Sequence, residues 1–121
     1  GLSDRSALNL SKNDAEQERL AARKEAAGID SYQQLYARFR ALDHARHETE
    51  KLRERMIPSA EQALADIRRG YDDGRYSFLQ IAEGRRVLYV LQTQHLDATA
   101  RYHTLFAEIE RMTVTANENN P

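Results

Sequence analysis

Two apolar stripes at alternating three- and four-residue steps, divided by one reversal signal, constrain this chain to two long helices lying side by side. In the first stripe Leu35, Phe39, Leu42, Thr49, Leu52, Met56, Ala60, Ala63 and Ile67 recur, with Arg46 filling one slot. In the second, Gly84, Leu88, Leu91, His95, Ala98, Tyr102, Leu105, Ile109 and Met112 alternate steps of four and three throughout. Each is a heptad seam, the pattern of a coiled-coil-like contact. Two seams of matching period joined by a short connection pack antiparallel at a shallow crossing angle. The expected fold class is therefore all-α, a long antiparallel helical hairpin.

The reversal lies in Arg68-Arg69-Gly70-Tyr71-Asp72-Asp73-Gly74-Arg75-Tyr76-Ser77-Phe78-Leu79-Gln80-Ile81. Gly70 and Gly74 can each take the left-handed conformation that ends a helix. Arg68 and Arg69 place positive charge where a helix C-terminus favours it. Ser77 with Gln80 reads as a capping box, and Tyr76 with Ile81 as its hydrophobic staple. The expected order is a flexible stretch over 1–12, a first helix over 13–73, a tip turn over 74–77 and a second helix over 78–113. A flexible stretch over 114–121 follows. At 1.5 Å per residue the first helix would reach about 90 Å, so part of it has no partner within the chain.

Two positions qualify the first helix. Gly28-Ile29-Asp30-Ser31 can interrupt it, with Asp30 or Ser31 capping a restart. Pro58 either kinks it at Met56-Ile57 or opens a separate helix. A heptad phase running on from Met56 to Ala60 favours the kink. Apolar side chains also exceed what one hairpin seam can cover. Val87, Val90, Gln94 and Thr104 lie off the seam, as do Tyr89, Leu96, His103 and Phe106, while Tyr32 and Tyr36 widen the first stripe. The surplus predicts association into a larger helical bundle, by folding back within the chain or, preferably, against helices outside it.

Composition narrows the function. A charged fraction of 31% and a mean hydropathy of −0.79 are too polar for a thick globular core. A net charge of −1 gives no electrostatic case for nucleic acid or an anionic membrane surface. No apolar run approaches the roughly 20 residues that span a bilayer, and with no cysteine there is no disulfide framework or thiolate metal site. His44 and His47 could share a helical face with Glu48 and Glu50 nearby, yet no further metal ligands are specified. His95 sits on the seam, where a packed histidine is expected. Asp72-Asp73-Gly74 lacks the ligand spacing of a calcium loop, and Ser77 has no partner at triad spacing. No enzyme activity and no cofactor are expected.

Around the reversal the residues resemble a known family. Gly70-Tyr71-Asp72-Asp73-Gly74-Arg75-Tyr76-Ser77, followed by Phe78-Leu79-Gln80-Ile81-Ala82-Glu83-Gly84-Arg85-Arg86, is similar to the second-repeat hairpin of the TolC superfamily of outer-membrane efflux factors. The nearest branch is the CzcC type, which serves heavy-metal efflux. Tyr102-His103 and Ala107-Glu108-Ile109-Glu110-Arg111-Met112 resemble the family's closing motifs, and Arg55 through Leu64 its proline-kinked helix. Gly84-Arg85 departs from the usual Ala-Gln, and Gln80 and Glu83 stand where two acids often line the pore.

The resemblance implies a helical-tunnel segment of a homotrimeric duct crossing the periplasm from the bacterial outer membrane. It also implies docking to a periplasmic adaptor and, indirectly, an inner-membrane pump. Gly70, Tyr71, Gly74, Arg75, Tyr76 and Ser77 would form the adaptor-docking tip, and Gln80 and Glu83 would line the pore. Such a segment would not itself span a membrane. Two other readings stay open on the residues alone: a free-standing coiled-coil interaction domain, and a metal-binding module built on His44 and His47.

Overall fold

The structure, a computed structural model, describes residues 1–119; the last two positions of the expected flexible stretch 114–121 lie outside them. Helix α1 covers Leu2–Lys51, a π turn Leu52–Met56, α2 Ile57–Asp72 and α3 Phe78–Glu118. No strand occurs among the described residues. The chain divides into two units, Gly1–Ala37 and Arg38–Pro121.

In the first unit α1 starts at Leu2 rather than near Asn13, and it continues through Gly28 without a break. Every residue from Gly1 to Gln34 is exposed, Leu8, Leu10, Leu20, Ile29 and Tyr32 among them. Tyr32 and Tyr36 stack with ring centroids 6.5 Å apart. Helices draw most of their stability from packing an apolar face, and no residue of 1–34 is buried.

The second unit is the hairpin. The end of α1, the π turn and α2 run against α3, and antiparallel pairing is marked along its length. Arg38 Nε donates to Glu108 at 3.3 Å, and Arg101 Nη1 donates to Glu48 at 3.2 Å. Nearer the turn, a Cβ at Gly84 would lie 3.1 Å from Leu64 and 3.4 Å from Ile67. The core is a single line of side chains: Ala45, Leu52 and Leu64 from one arm of the hairpin, Ile81, Ala98 and Ile109 from the other. Burying each of the four leucine and isoleucine side chains contributes about 1.5–3 kcal/mol before entropy is counted.

All nine seam positions expected on the second helix are buried or half-buried. The first seam departs from expectation. Arg38, Leu42, Ala45, Thr49 and Leu52 face inward, whereas Phe39 and Arg46 are about half exposed. A small alanine sits in the interface, and the neighbouring arginine, too costly to bury unpaired, turns to solvent. Beyond Leu52 the inward positions become Ile57, Ala60, Leu64, Ile67 and Gly70. The expected phase through Met56 and Ala63 is not the one adopted.

The cause is the π turn. The Ile57 N–H donates to the Leu52 carbonyl, a five-residue reach that inserts one extra residue per turn. The seam therefore steps from Leu52 to Ile57. Pro58 follows at once, near the start of α2. Its ring nitrogen cannot donate to the Glu54 carbonyl, and the ring would crowd that carbonyl in a regular helix. The wide turn falls where the α ladder is already broken.

Candidate docking tip

The reversal is built from backbone hydrogen bonds. The Arg75 N–H donates to the Gly70 carbonyl at 2.7 Å and the Gly74 N–H to the Tyr71 carbonyl at 3.0 Å. This is the six-to-one and five-to-two pattern of a Schellman motif. Gly74 is its left-handed residue, with φ of 76°. Gly70 was expected to share that conformation and does not: it lies in the last turns of α2, buried. Its need for glycine is steric. A Cβ there would collide with the Tyr76 ring, which packs against Gly70, while the Tyr76 N–H donates to the Gly70 carbonyl at 3.1 Å.

Ser77 starts α3 in extended conformation, φ −89° and ψ 161°, and forms the capping box with Gln80. The Ser77 N–H donates to Gln80 Oε1 at 2.8 Å. The Gln80 side chain, a candidate for the pore lining, is thus engaged in holding the helix start.

Around this frame the apolar side chains are open to solvent. Tyr71 meets Phe78 edge to face at 6.4 Å, and both remain well exposed, as does Tyr76. Leu79 is 77% exposed at the first turn of α3. Arg75 Nη2 donates to Asp73 at 3.2 Å, so its charge is shared with a neighbour. The six expected tip residues are therefore brought together in one turn. Phe78 and Leu79 belong to the same surface. Two bulky apolar residues directly after a cap, off the α3 seam, were the signal for them.

Beside the tip, Ala60, Ala63, Ile67, Gly84 and Val87 form an open apolar groove of about 290 Å³, with Gln80 and Glu83 on its edge. Glu83 is paired to Arg86, whose Nη2 and Nε donate at 2.7 and 3.2 Å. Those hydrogen bonds, and then the Arg86 charge, hold the Glu83 carboxyl below the ordinary glutamate value. Glu83 therefore carries a neutralising partner on its own helix.

The histidines lie elsewhere. His44 and His47 line a shallow depression on α1 with Phe39, Arg40 and Asp43. His47 Nδ1 lies 2.7 Å from the Asp43 carbonyl oxygen and 3.5 Å from its carboxylate. Arg46 also donates to that carboxylate, at 2.8 Å, and keeps it below the usual aspartate value. Among the described residues, no group of three or more His, Cys, Asp or Glu is placed to hold a metal ion. No helix among them is long and apolar enough to cross a membrane. Comparison with protein-family models, with curated proteins and with solved structures finds no match for the chain.

Proposed function

We propose that this chain is a helical-hairpin segment of an outer-membrane efflux duct, with its turn as the surface that meets a periplasmic adaptor. The observation that carries the reading is the tip. A reversal needs only a left-handed glycine, a close glycine contact and a cap, all supplied by Gly70, Gly74, Ser77 and Gln80. Tyr71, Phe78, Leu79 and the outer side of Tyr76 are left as exposed apolar area on the turn, and aromatic side chains are frequent binding anchors. The family resemblance of the Gly70–Arg86 stretch supplies the partner class: an adaptor, and beyond it an inner-membrane pump.

In this proposal the complete protein is a homotrimer of the bacterial outer membrane and periplasm, exporting substrates such as heavy-metal cations. The helix bends near Pro58, and neighbouring hairpins cover the remaining apolar flanks as a larger bundle. Glu83 faces the lumen with its Arg86 partner, so its pull on cations is weaker than a bare carboxylate ring would exert.

The test is export by the full-length protein carrying Leu79→Ser or Arg75→Ala. Neither side chain carries the turn geometry, since Arg75 contributes to it through its backbone N–H alone, so expression and trimer formation are expected to persist while export falls. Gly74→Trp is a poorer probe, because φ of 76° makes any side chain there disturb the turn itself. Export unchanged in both variants leaves the tip a plain turn. A second reading, a free-standing coiled-coil interaction domain, draws on the exposed flank of Tyr89, Leu96 and Phe106. Under it, Leu96→Ser weakens self-association while the tip variants have no effect.

A further inference from the structure

Helix α3 carries a second heptad row beside its buried seam. The residue after each seam position forms it, as Tyr89 follows Leu88, Leu96 follows His95 and Phe106 follows Leu105. One residue turns a helix by about 100°, so this row faces about a quarter turn away from the first arm of the hairpin. Tyr89 is 69% exposed, Leu96 68% and Phe106 46%. Arg46, Glu50 and Arg53 of the first arm border the row at Thr99 and His103, and Arg46 is already held by Asp43 and Glu50. An apolar strip with a polar margin is the anatomy of an interface. Charge marks the two ends of the strip. Arg85 and Glu110 are exposed, and neither has an ion pair or side-chain hydrogen bond among the described residues. The neighbouring arginines are taken, Arg86 by Glu83 and Arg101 by Glu48.

We propose that this row is the interface of an antiparallel dimer of the chain, α3 against α3 of a second copy, with the two-fold axis between Asp97 and Ala98. With a positive end and a negative end, the strip complements itself only when one copy is turned end for end. This register sets Arg85 of each copy against Glu110 of the other, Tyr89 against Phe106 and Leu96 against Thr99. Gln92 meets His103, so polar members of the row also face each other. Parallel pairing would place Arg85 on Arg85 and Glu110 on Glu110, repulsive at both ends. From Ala82 to Glu110 the strip is about 42 Å long and roughly 10 Å wide. That falls short of the roughly 800 Å² per partner of a standard interface, so the dimer is a reversible one that dilution dissociates. The pairing rests on the coiled-coil reading of the exposed flank and not on the tip.

Sedimentation equilibrium of the full chain at low ionic strength tests it. Arg85→Glu and Glu110→Arg each turn two attractive contacts per dimer into repulsive ones, and each is expected to weaken self-association roughly tenfold. The double variant restores opposite charges and should associate like the parent. Arg85→Glu combined with Glu61→Arg, a change on the exposed side of the first arm, keeps the same net charge and should stay weak. Leu79→Ser at the tip lies off the row and should leave association unchanged. Single reversals without effect overturn the pairing, and so does rescue by Glu61→Arg as complete as rescue by Glu110→Arg. A parent chain that stays monomeric overturns it together with the coiled-coil reading. Loss of association in Leu96→Ser with the charge reversals silent overturns the antiparallel register and leaves the coiled-coil reading standing.

Discussion

A methyl group added at Gly70 would be driven into the Tyr76 ring, whereas one added at Gly74 would meet no atom but would sit at φ of 76°. The two substitutions should therefore fail differently. Gly70→Ala is expected to cost about 1–3 kcal/mol through overpacking, and Tyr76→Ala should relieve part of that loss in the double variant. Gly74→Ala should cost roughly 1–2 kcal/mol from backbone strain alone, with no rescue by Tyr76→Ala. Denaturant unfolding of the four variants separates the cases. Glu83 gives a second prediction. Its folded-state value is depressed by Arg86, so the pair's contribution is present above the ordinary glutamate value and is lost as pH falls through the lower folded value. A carbon-detected titration should place the Glu83 midpoint on the acid side of ordinary glutamate. With Arg86→Gln the midpoint should move back up.

At the scale of the element, the seam decides which apolar residues matter. Leu64→Ala should destabilise the hairpin by about 2–5 kcal/mol, the usual range for a truncated core leucine. Phe39→Ala and Met56→Ala, though both sit on the regular heptad pattern, should each cost less than about 1 kcal/mol. Equal losses at Met56 and Leu64 in thermal or denaturant melts would mean the seam runs differently. Thr49 offers the opposite sign: its hydroxyl oxygen is buried without a protein partner. Removing that stranded hydroxyl with Thr49→Val should raise stability by about 0.5–1.5 kcal/mol in denaturant melts, and a loss would refute this.

Over the whole molecule, protection should divide at the boundary between the units. Amides of residues 2–34 have no buried side chain beside them, so their hydrogen exchange should approach that of an isolated helix. Amides flanking Leu52, Leu64, Ile81, Ala98 and Ile109 should exchange orders of magnitude more slowly. Exposed Tyr89, Leu96, Phe106 and Val114 predict a melting temperature that rises with protein concentration, as for any fold that gains by association. A sedimentation monomer with a concentration-independent melt would refute that.

Periodicity with one reversal signal determined the helical class, the antiparallel pairing and the inward face of α3 from Gly84 to Met112, because a helix without breakers keeps its phase; Ile81, buried in the core, lay outside that seam. Gly74, Ser77 and Gln80 were legible for a similar reason: caps and turns are chemistry within a few residues. The rest was settled by contacts distant in sequence. Gly70 is glycine because a ring six residues later lies on its backbone, and local conformation carries no trace of that. Ala45 replaces Arg46 on the seam because only a facing helix makes burial costly. The choice of Leu64 over Ala63 rests on a single inserted residue at the π turn, and a pattern that tolerates steps of three and four cannot register a step of five. Only packing against α3, where leucine buries more apolar surface than alanine, selects that register.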